Sequence, residues 1–171
     1  MKEIRFEFTG ILKDSREGGP YRRLPERSTK HAIAYDFFSP ISFKLEPKQT
    51  YMLKTGIKAS FPEDVGLILN VRSSMGKKHI MLANSSGWVE CDYYNNPDND
   101  GEIGFMFYNY GEDIWEVNAG DKIGQGMFIY YLISDDVVSH ERVGRIWKYR
   151  SLANLDMLML QNIEDITYVC I

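Results

Sequence analysis

The sequence predicts an all-β protein, because short apolar runs recur along the chain and turn residues separate them. These runs follow one another at a spacing of roughly ten residues, which is typical of β-sandwiches, barrels and jelly rolls. Near the start, residues 4–8 alternate between apolar and polar side chains, as a half-buried strand does. Evidence for helices is thin, since we predict only a short turn in residues 75–82 and a helix in residues 152–161.

The turn residues between the apolar runs place the strands in order. Residues 14–30 are predicted to form a loop, because they contain Gly18, Gly19, Pro20 and many charges. Gly56 marks a turn between two later runs in the same way. The predicted strands are residues 4–8, 35–38, 41–45, 51–53, 57–61, 65–71, 104–107 and 123–129.

Size and composition indicate one domain, with a β domain in residues 1–150 and a divergent tail in residues 151–171. The chain has 171 residues, enough to bury a core. Its net charge of −4 gives no general attraction to nucleic acid. Neither a signal peptide nor an apolar run long enough to span a bilayer is evident. Cys91 and Cys170 do not have metal-ligand spacing, so we expect thiols in a cytoplasmic protein that associates with no membrane.

Residues 72–76 carry groups that suit a phosphate ligand. Arg72 offers a planar fork of donors that matches phosphate oxygens. Ser73 and Ser74 add hydroxyl and backbone N–H donors beside it. The same residue types also occur at solvated strand ends, so this segment alone is a weak signal.

Two polar residues stand in otherwise apolar strands. Asp36 lies in the run 35–38 and Gln125 in the run 123–129. A buried polar group is costly unless it has a partner, so each requires one. For Gln125 the alternative to a ligand contact is a core amide bonded to the backbone.

A third segment, residues 84–93, combines an amide, a glycine, acids and an aromatic ring. Glu90 is the acid best placed to handle water, and Asp92 is an alternative because strand alternation predicts it on the same face. Tyr93 can pack on a sugar face or serve as a core tyrosine. The candidate site residues here are Asn84, Gly87, Trp88, Glu90 and Tyr93.

In this order and spacing, the segments resemble the trimeric dUTPase family over about residues 24–133. The insertion at residues 95–101 is similar to one in a bacterial and phage branch of that family. Residues 24–25 and 32–36 resemble the first motif, although Ala34 stands where Gly is usual. Residues 72–76, 84–93 and 120–125 resemble the second, third and fourth motifs.

This resemblance implies a β jelly roll with little helix that assembles as a homotrimer, with its sites between subunits. It also implies hydrolysis of dUTP to dUMP and pyrophosphate by water attack on the α-phosphorus. Mg²⁺ is the expected cofactor, held through substrate phosphates and water rather than directly by the protein, in keeping with its reluctance to lose water ligands.

The resemblance also implies a role for each candidate residue. Glu90 is expected to orient the attacking water, with Asp36 supporting the catalytic centre. The uracil is expected to meet Asn84 and backbone near Gly87 and Trp88, and the deoxyribose to rest on Tyr93. The expected phosphate-binding residues are Arg72, Ser73, Ser74 and Gln125.

Two departures from the family pattern keep alternatives open. Glu90 stands where the family has Asp, and the glycine-rich C-terminal arm is replaced by a segment whose candidate lid residues are Arg142 and Trp147. A catalytically weakened protein that binds a nucleotide or a regulatory protein partner is therefore the alternative function. The dCTP deaminase family shares the fold, but Met106 stands where that family has a catalytic Glu, so deamination is disfavoured.

Overall fold

The structure is a computed structural model that describes residues 3–10 and 21–134. Antiparallel strands dominate these ranges, accompanied by one helical turn and one short 3-10 helix. The helical turn is α1 (Ser73–Gly76), and the 3-10 helix is Cys91–Tyr93. The strands are β1 (Arg5–Phe8), β2 (Tyr35–Phe38), β3 (Phe43–Leu45), β4 (Thr50–Lys54), β5 (Ile57–Ser60), β6 (Val65–Asn70), β7 (Ile80–Leu82), β8 (Gly87–Val89), β9 (Gly104–Asn109), β10 (Trp115–Val117) and β11 (Lys122–Tyr130).

The strands pair into two larger sheets and two short ribbons. One sheet has the strand order β2-β11-β6-β8 and the other has the order β4-β9-β7. The ribbons are β1-β5 and β10-β3, and each paired neighbour runs antiparallel. Partners distant in the chain, such as β2 and β11, are joined side by side, as in a jelly roll. The predicted all-β fold with little helix is confirmed.

Aromatic side chains from both larger sheets meet in the core. Strand β9 alternates, so that Phe105 and Phe107 are fully buried while Gly104, Met106 and Tyr108 are partly exposed. The ring of Phe105 meets that of Phe37 on β2 edge to face, with centroids 5.2 Å apart. A Cβ at Gly124 would lie 2.3 Å from the Phe105 ring, so only glycine allows β11 to pass this closely.

The structure confirms the predicted strands, with ends that shift by one or two residues. The short turn predicted in residues 75–82 is wrong in extent, because α1 ends at Gly76 and β7 begins at Ile80. Strands β7 and β10 were not predicted, since a three-residue strand is too short to show an apolar period. A strand near Glu90 was assumed, but β8 ends at Val89. The predicted helix at 152–161 and the candidate lid residues Arg142 and Trp147 lie outside the described residues.

In the part of the chain that the structure describes, we find no helix with the length and apolar character needed to cross a membrane.

Candidate active site

A surface cleft of about 290 Å³ brings together residues from three of the sequence segments. Asp36 comes from β2, Arg72 and Ser73 from the start of α1, and Gln125 from β11. Four of the candidate residues, distant in the chain, therefore line one cleft. The loop before β2 completes its wall with Ser28, Ala32, Ile33 and Ala34.

Asp36 is the centre of an ion-pair cluster beside this cleft. Its side chain is only 6% exposed, and its Oδ1 lies 3.0 Å from Nε of Arg72. The other oxygen, Oδ2, lies 2.6 Å from Nζ of Lys122 and accepts a hydrogen bond from the hydroxyl of Ser28. The partner that the sequence required for this acid is therefore a pair of cations.

Burial and pairing act on the acidity of Asp36 in opposite directions. Burial favours the neutral acid and would raise the pKa of Asp36. Hydrogen bonds from Lys122 and Ser28, together with the charge of Arg72, outweigh this effect and hold the pKa below its usual value. Asp36 is therefore an anion at neutral pH and an anchor for two cations.

An irregularity in β11 explains why Lys122 reaches Asp36. Side chains three residues apart in a regular strand point to opposite faces, so Lys122 and Gln125 would be separated. The register of β11 against β2 shifts between Lys122 and Gly124, so Gln125 pairs with Asp36 while Lys122 pairs with Phe38. This bulge places the lysine and the glutamine on the same side as the carboxylate.

Arg72 connects this cleft to a second cleft of about 310 Å³. Its side chain is 31% exposed and binds Asp36 through Nε. The second cleft contains the cations Lys78 and Lys122, and the acids Glu116 and Asp121 also line it. Three cations, Arg72, Lys78 and Lys122, thus line the second cleft, an arrangement that suits an anion with several charges.

Gln125 lies in a row of polar residues that crosses the sheet. It pairs with Asp36 on one side and with Asn70 on the other. Its side chain is partly exposed and donates a hydrogen bond of 3.5 Å to the carbonyl of Val71. The backbone contact expected of a core amide is therefore present, and Gln125 also borders the cleft.

Residues 84–93 lie at the other edge of this sheet, around β8. A Cβ at Gly87 would be 3.1 Å from Leu69, so a glycine allows β8 to pack closely on β6. Trp88 is 51% exposed and its indole N–H donates to the hydroxyl of Ser86. Asn84 and Glu90 are also exposed, so this edge presents an amide, an indole and a carboxylate to the surroundings.

The extended backbone ends at Glu90, and this corrects one expectation. Residues Cys91–Tyr93 form a 3-10 helix, for which Glu90 is the N-terminal flanking residue. The prediction that strand alternation places Asp92 on the face of Glu90 is therefore wrong, because Asp92 lies inside the helix. Glu90 is the acid that directly continues β8.

Tyr93 is nearly buried, with 7% of its surface exposed. Its hydroxyl donates to the carbonyl of Glu102 at 3.2 Å and accepts a hydrogen bond from the amide of Asn99. Its backbone N–H donates to the carbonyl of Glu90 at 3.1 Å. The tyrosine is thus fixed in place and packs on the core.

One chain does not bring the two groups of candidate residues together. Strands β2 and β8 are opposite edges of the sheet, three strand spacings or roughly 14 Å apart. Asn70 on β6 is level with Asp36, because Gln125 pairs with both. Leu67 pairs with Val89, so Glu90 is level with the residue four positions before Asn70. That offset adds about 13 Å, so Asp36 and Glu90 are roughly 20 Å apart. Neither cleft is lined by any residue from 84–93.

The donors in the two clefts fit an anionic ligand better than a protein-bound metal. Among residues 3–10 and 21–134, no group of three His, Cys, Asp or Glu side chains is placed to hold a metal ion. The carboxylate of Asp36 is already paired with Arg72 and Lys122. A phosphorylated ligand that carries its own metal suits such a cationic surface.

An antiparallel β fold with cations gathered around a buried carboxylate suits the class of proteins that bind phosphorylated ligands. The chain belongs to the dUTPase family, since the family model described as dUTPase matches residues 21–146. It is 32% identical over 123 residues to the deoxyuridine 5'-triphosphate nucleotidohydrolase of Lactococcus lactis subsp. lactis, a match that covers 71% of this chain and 82% of the relative.

Solved structures agree with this assignment. The crystal structure of dUTPase from Streptococcus mutans matches with a TM-score of 0.68 and 32% identity, covering 76% of this chain and 98% of the other. A mutant dUTPase from phage phi11 of S. aureus, whose structure reveals the coordination of a structural Mg(II) ion, matches with a TM-score of 0.62. At 20% identity, over 82% of this chain and 97% of that one, the phage protein shares the fold.

Two residues of the ion-pair cluster were not predicted from the sequence. Lys122 lies within the segment 120–125, but its contact with Asp36 depends on the bulge in β11. Ser28 belongs to a loop with no recognisable period, and only the folded chain brings its hydroxyl to Asp36. A cation three residues before Gln125 is the one available signal.

Proposed function

We propose that the protein hydrolyses dUTP to dUMP and pyrophosphate. The observation that carries this proposal is the cluster in which Asp36 holds Arg72, which lines both clefts, and Lys122, which lines the second cleft. Membership of the dUTPase family and the similarity to named deoxyuridine 5'-triphosphate nucleotidohydrolases support the choice of substrate. The family match and the named relatives do not favour the alternative of a binding-only protein.

In this proposal, the triphosphate binds where the two clefts meet at Arg72. Arg72 and Lys122 contact phosphate oxygens while Asp36 fixes both side chains from behind. Ser73, at the start of α1, and Gln125 add neutral donors at the wall of the first cleft. Fixed donors need no reorganisation when charge moves during the reaction, and this preorganisation is a major source of rate enhancement.

The nucleoside and the attacking water belong to the other group of residues. Asn84 and backbone near Gly87 and Trp88 hold the uracil, and Tyr93 lies under the deoxyribose, where a 2′-hydroxyl would be excluded. Glu90 orients a water molecule and accepts its proton as the water attacks the α-phosphorus. The bond from that phosphorus to the bridging oxygen breaks, and pyrophosphate leaves.

A complete site therefore requires more than one chain, and we propose a homotrimer in which neighbouring copies share each site. With Asp36 and Glu90 roughly 20 Å apart, the carboxylate of Glu90 does not reach the cleft of its own copy, and no residue from 84–93 lines that cleft. A neighbour that places its β8 edge over the cleft supplies the missing carboxylate. The exposed positions of Trp88 and Glu90 support this arrangement.

Mg²⁺ is the proposed cofactor, carried by the phosphates of the substrate. When bound, it neutralises part of the triphosphate charge. Arg72 and Lys122 neutralise more of that charge from the side of the protein. The carboxylate of Asp36 acts on these two cations rather than on the metal.

Pyrophosphate release from dUTP in the presence of Mg²⁺ tests the proposal directly. We expect turnover with dUTP and far less with UTP, dTTP or dCTP at equal concentration. Arg72→Gln should abolish most of the turnover, because it removes the charge from the cleft. The absence of any pyrophosphate above background at high protein concentration would contradict the proposed function.

A further inference from the structure

The inserted loop, residues 95–101, is fastened to β5 by one lysine. The side chain of Lys58 is only 11% exposed. Its Nζ donates to Oδ1 of Asn95 at 2.6 Å and to Oδ1 of Asp100 at 2.8 Å. The second oxygen of Asp100 accepts the backbone N–H of Gly10 at 2.7 Å. Lys58 therefore bonds both ends of the loop, while Asp100 ties it to the chain after β1.

Aromatic and acidic groups complete the surroundings of this ammonium group. Its Nζ lies 5.0 Å from the centre of the Tyr94 ring, which is a cation–π distance. The hydroxyl of Tyr94 donates to Oε2 of Glu7 on β1 at 2.9 Å. A buried charge is costly without partners, and here an amide, a carboxylate and a ring supply them.

Residues 99–101 of the inserted loop lie against Tyr93. Gly101 has a left-handed backbone with φ of 74°, and a Cβ there would lie 2.5 Å from the carbonyl of Tyr93. The amide of Asn99 donates to the hydroxyl of Tyr93, and that hydroxyl donates to the carbonyl of Glu102. The loop therefore contacts Tyr93 both at its backbone carbonyl and at its hydroxyl group.

A short path therefore leads from Lys58 to the nucleoside-binding edge. Lys58 holds Asn95 and Asp100, and Asn99 between them holds Tyr93. Tyr93 in turn donates its N–H to the carbonyl of Glu90. No atom of Lys58 needs to touch the ligand for this path to affect it.

We propose that Lys58 is a positioning residue for the nucleoside half of the site, acting through the inserted loop on Tyr93. The proposal rests on the proposed function, because it takes the ring of Tyr93 as the surface that excludes a 2′-hydroxyl. A tyrosine that is free to shift by about 1 Å distinguishes dUTP from UTP less well. Misplacement of that size can also cost about a hundredfold in rate.

The first test compares Lys58→Met with Lys44→Met. Methionine keeps most of the buried stem of Lys58 and removes the ammonium group. Lys44 is 65% exposed and pairs with Glu116 at the surface, so its variant controls for the loss of one positive charge. We expect Lys58→Met to lower kcat/KM for dUTP by about ten- to a hundredfold and to reduce the preference for dUTP over UTP by about tenfold. Lys44→Met should leave the preference unchanged.

The preference for dUTP separates positioning from mere stability. If Lys58 only stabilised the fold, the folded molecules of the variant would retain the preference of the unmodified protein, and that result would overturn the proposal. Asn99→Ala is the second variant, for use whether or not Lys58→Met folds. It leaves Lys58 in place and removes the bond to the hydroxyl of Tyr93, so we expect the same loss of preference.

Amide hydrogen exchange gives a readout that does not depend on turnover. We expect Lys58→Met and Asn99→Ala to speed exchange in residues 90–103 and to leave β6 unchanged. If the unmodified protein does not cleave dUTP, the proposed function fails and this measurement still tests the coupling of Lys58 to Tyr93. Unchanged exchange in residues 90–103 in both variants would refute the coupling.

Discussion

The ammonium nitrogen of Lys122 lies 2.6 Å from Oδ2 of Asp36, while Nε of Arg72 lies 3.0 Å from Oδ1 of the same carboxylate. Two cations from different segments thus share one acid. Their positions depend on each other through it, because each fixes the carboxylate that orients the other. A single substitution at residue 36 should therefore disturb the positions of both cations.

Asp36→Asn should weaken the anchoring of the two cations while leaving the size of the side chain almost unchanged. The amide has no charge to hold Arg72 and Lys122, so we expect kcat/KM for dUTP to fall at least about tenfold. Asp113→Asn, at an exposed position, is the matched control and should have little effect. Steady-state kinetics at neutral pH give the comparison, and equal activity of the two variants would contradict an anchoring role.

The stability difference between the unmodified protein and Asp36→Asn should depend on pH. Because pairing lowers the pKa of Asp36 in the folded protein, its contribution is present above the unfolded value of about 4. It is lost as the pH falls through the folded pKa. Denaturant unfolding at pH 7 and at steps below pH 4 should show a gap that closes only in acid, and a constant gap would argue against this pairing.

The stability difference between the unmodified protein and Glu102→Gln should depend on pH in the opposite direction. Burial raises the pKa of Glu102 more than the N–H of Gly56 and the charge of Lys54 lower it. The folded state therefore favours the protonated acid, and the stability that this gives is lost as the pH rises through the folded pKa. The glutamine variant stays neutral, so it should be more stable than the unmodified protein at pH 8 and similar to it at pH 4. Thermal unfolding at both values decides the matter, and a variant that is less stable at pH 8 would refute it.

Glu90→Gln should affect turnover more than substrate binding. Removing the carboxylate leaves no proton acceptor for the water, so we expect kcat to fall by about a hundredfold or more while KM changes little. Glu90→Asp keeps the charge and shortens the reach, and it should remain at least about tenfold more active than the glutamine variant. If the two variants lose the same activity, the charge of Glu90 is not what matters.

Mixing two inactive variants should restore activity if copies share each site. Arg72→Ala chains retain Glu90, and Glu90→Gln chains retain Arg72. In randomly mixed assemblies about one site in four receives both intact residues, so about a quarter of the original activity should return. The chains are mixed by unfolding and refolding together, and each variant refolded alone is the control. No recovery in assemblies proven to be mixed would place both residues in one chain's site.

Two glycines offer a matched test of core packing. Gly124→Ala would set a Cβ 2.3 Å from the ring of Phe105, whereas Gly76→Ala meets nothing within 4 Å. We expect the first change to lower the free energy of unfolding by about 1–3 kcal/mol. The second, in α1, should be neutral or slightly stabilising, because alanine favours helix over glycine. Chemical denaturation measures both, and equal effects would contradict the packing of β11 against Phe105.

The apolar runs carried most of the information about the fold, since each long strand repeats its pattern over several residues. Strands β7, β8 and β10 lack that repetition and depend on neighbours that are distant in the chain. In the site, Asp36 and Gln125 were recognisable because a polar residue in an apolar strand needs a partner. The identity of that partner was not, because Lys122 reaches Asp36 through a bulge that no local pattern marks.

The strand order β2-β11-β6-β8 puts the phosphate cleft and the nucleoside edge on opposite margins of one sheet. On the proposed shared site, an isolated copy has the phosphate cleft but lacks the carboxylate that a neighbour supplies, and so has no working catalytic centre. Dilution should therefore lower the specific activity per chain steeply below the concentration at which copies associate. The abundance of the protein, rather than a bound effector, would set how much catalyst a given amount of chain provides.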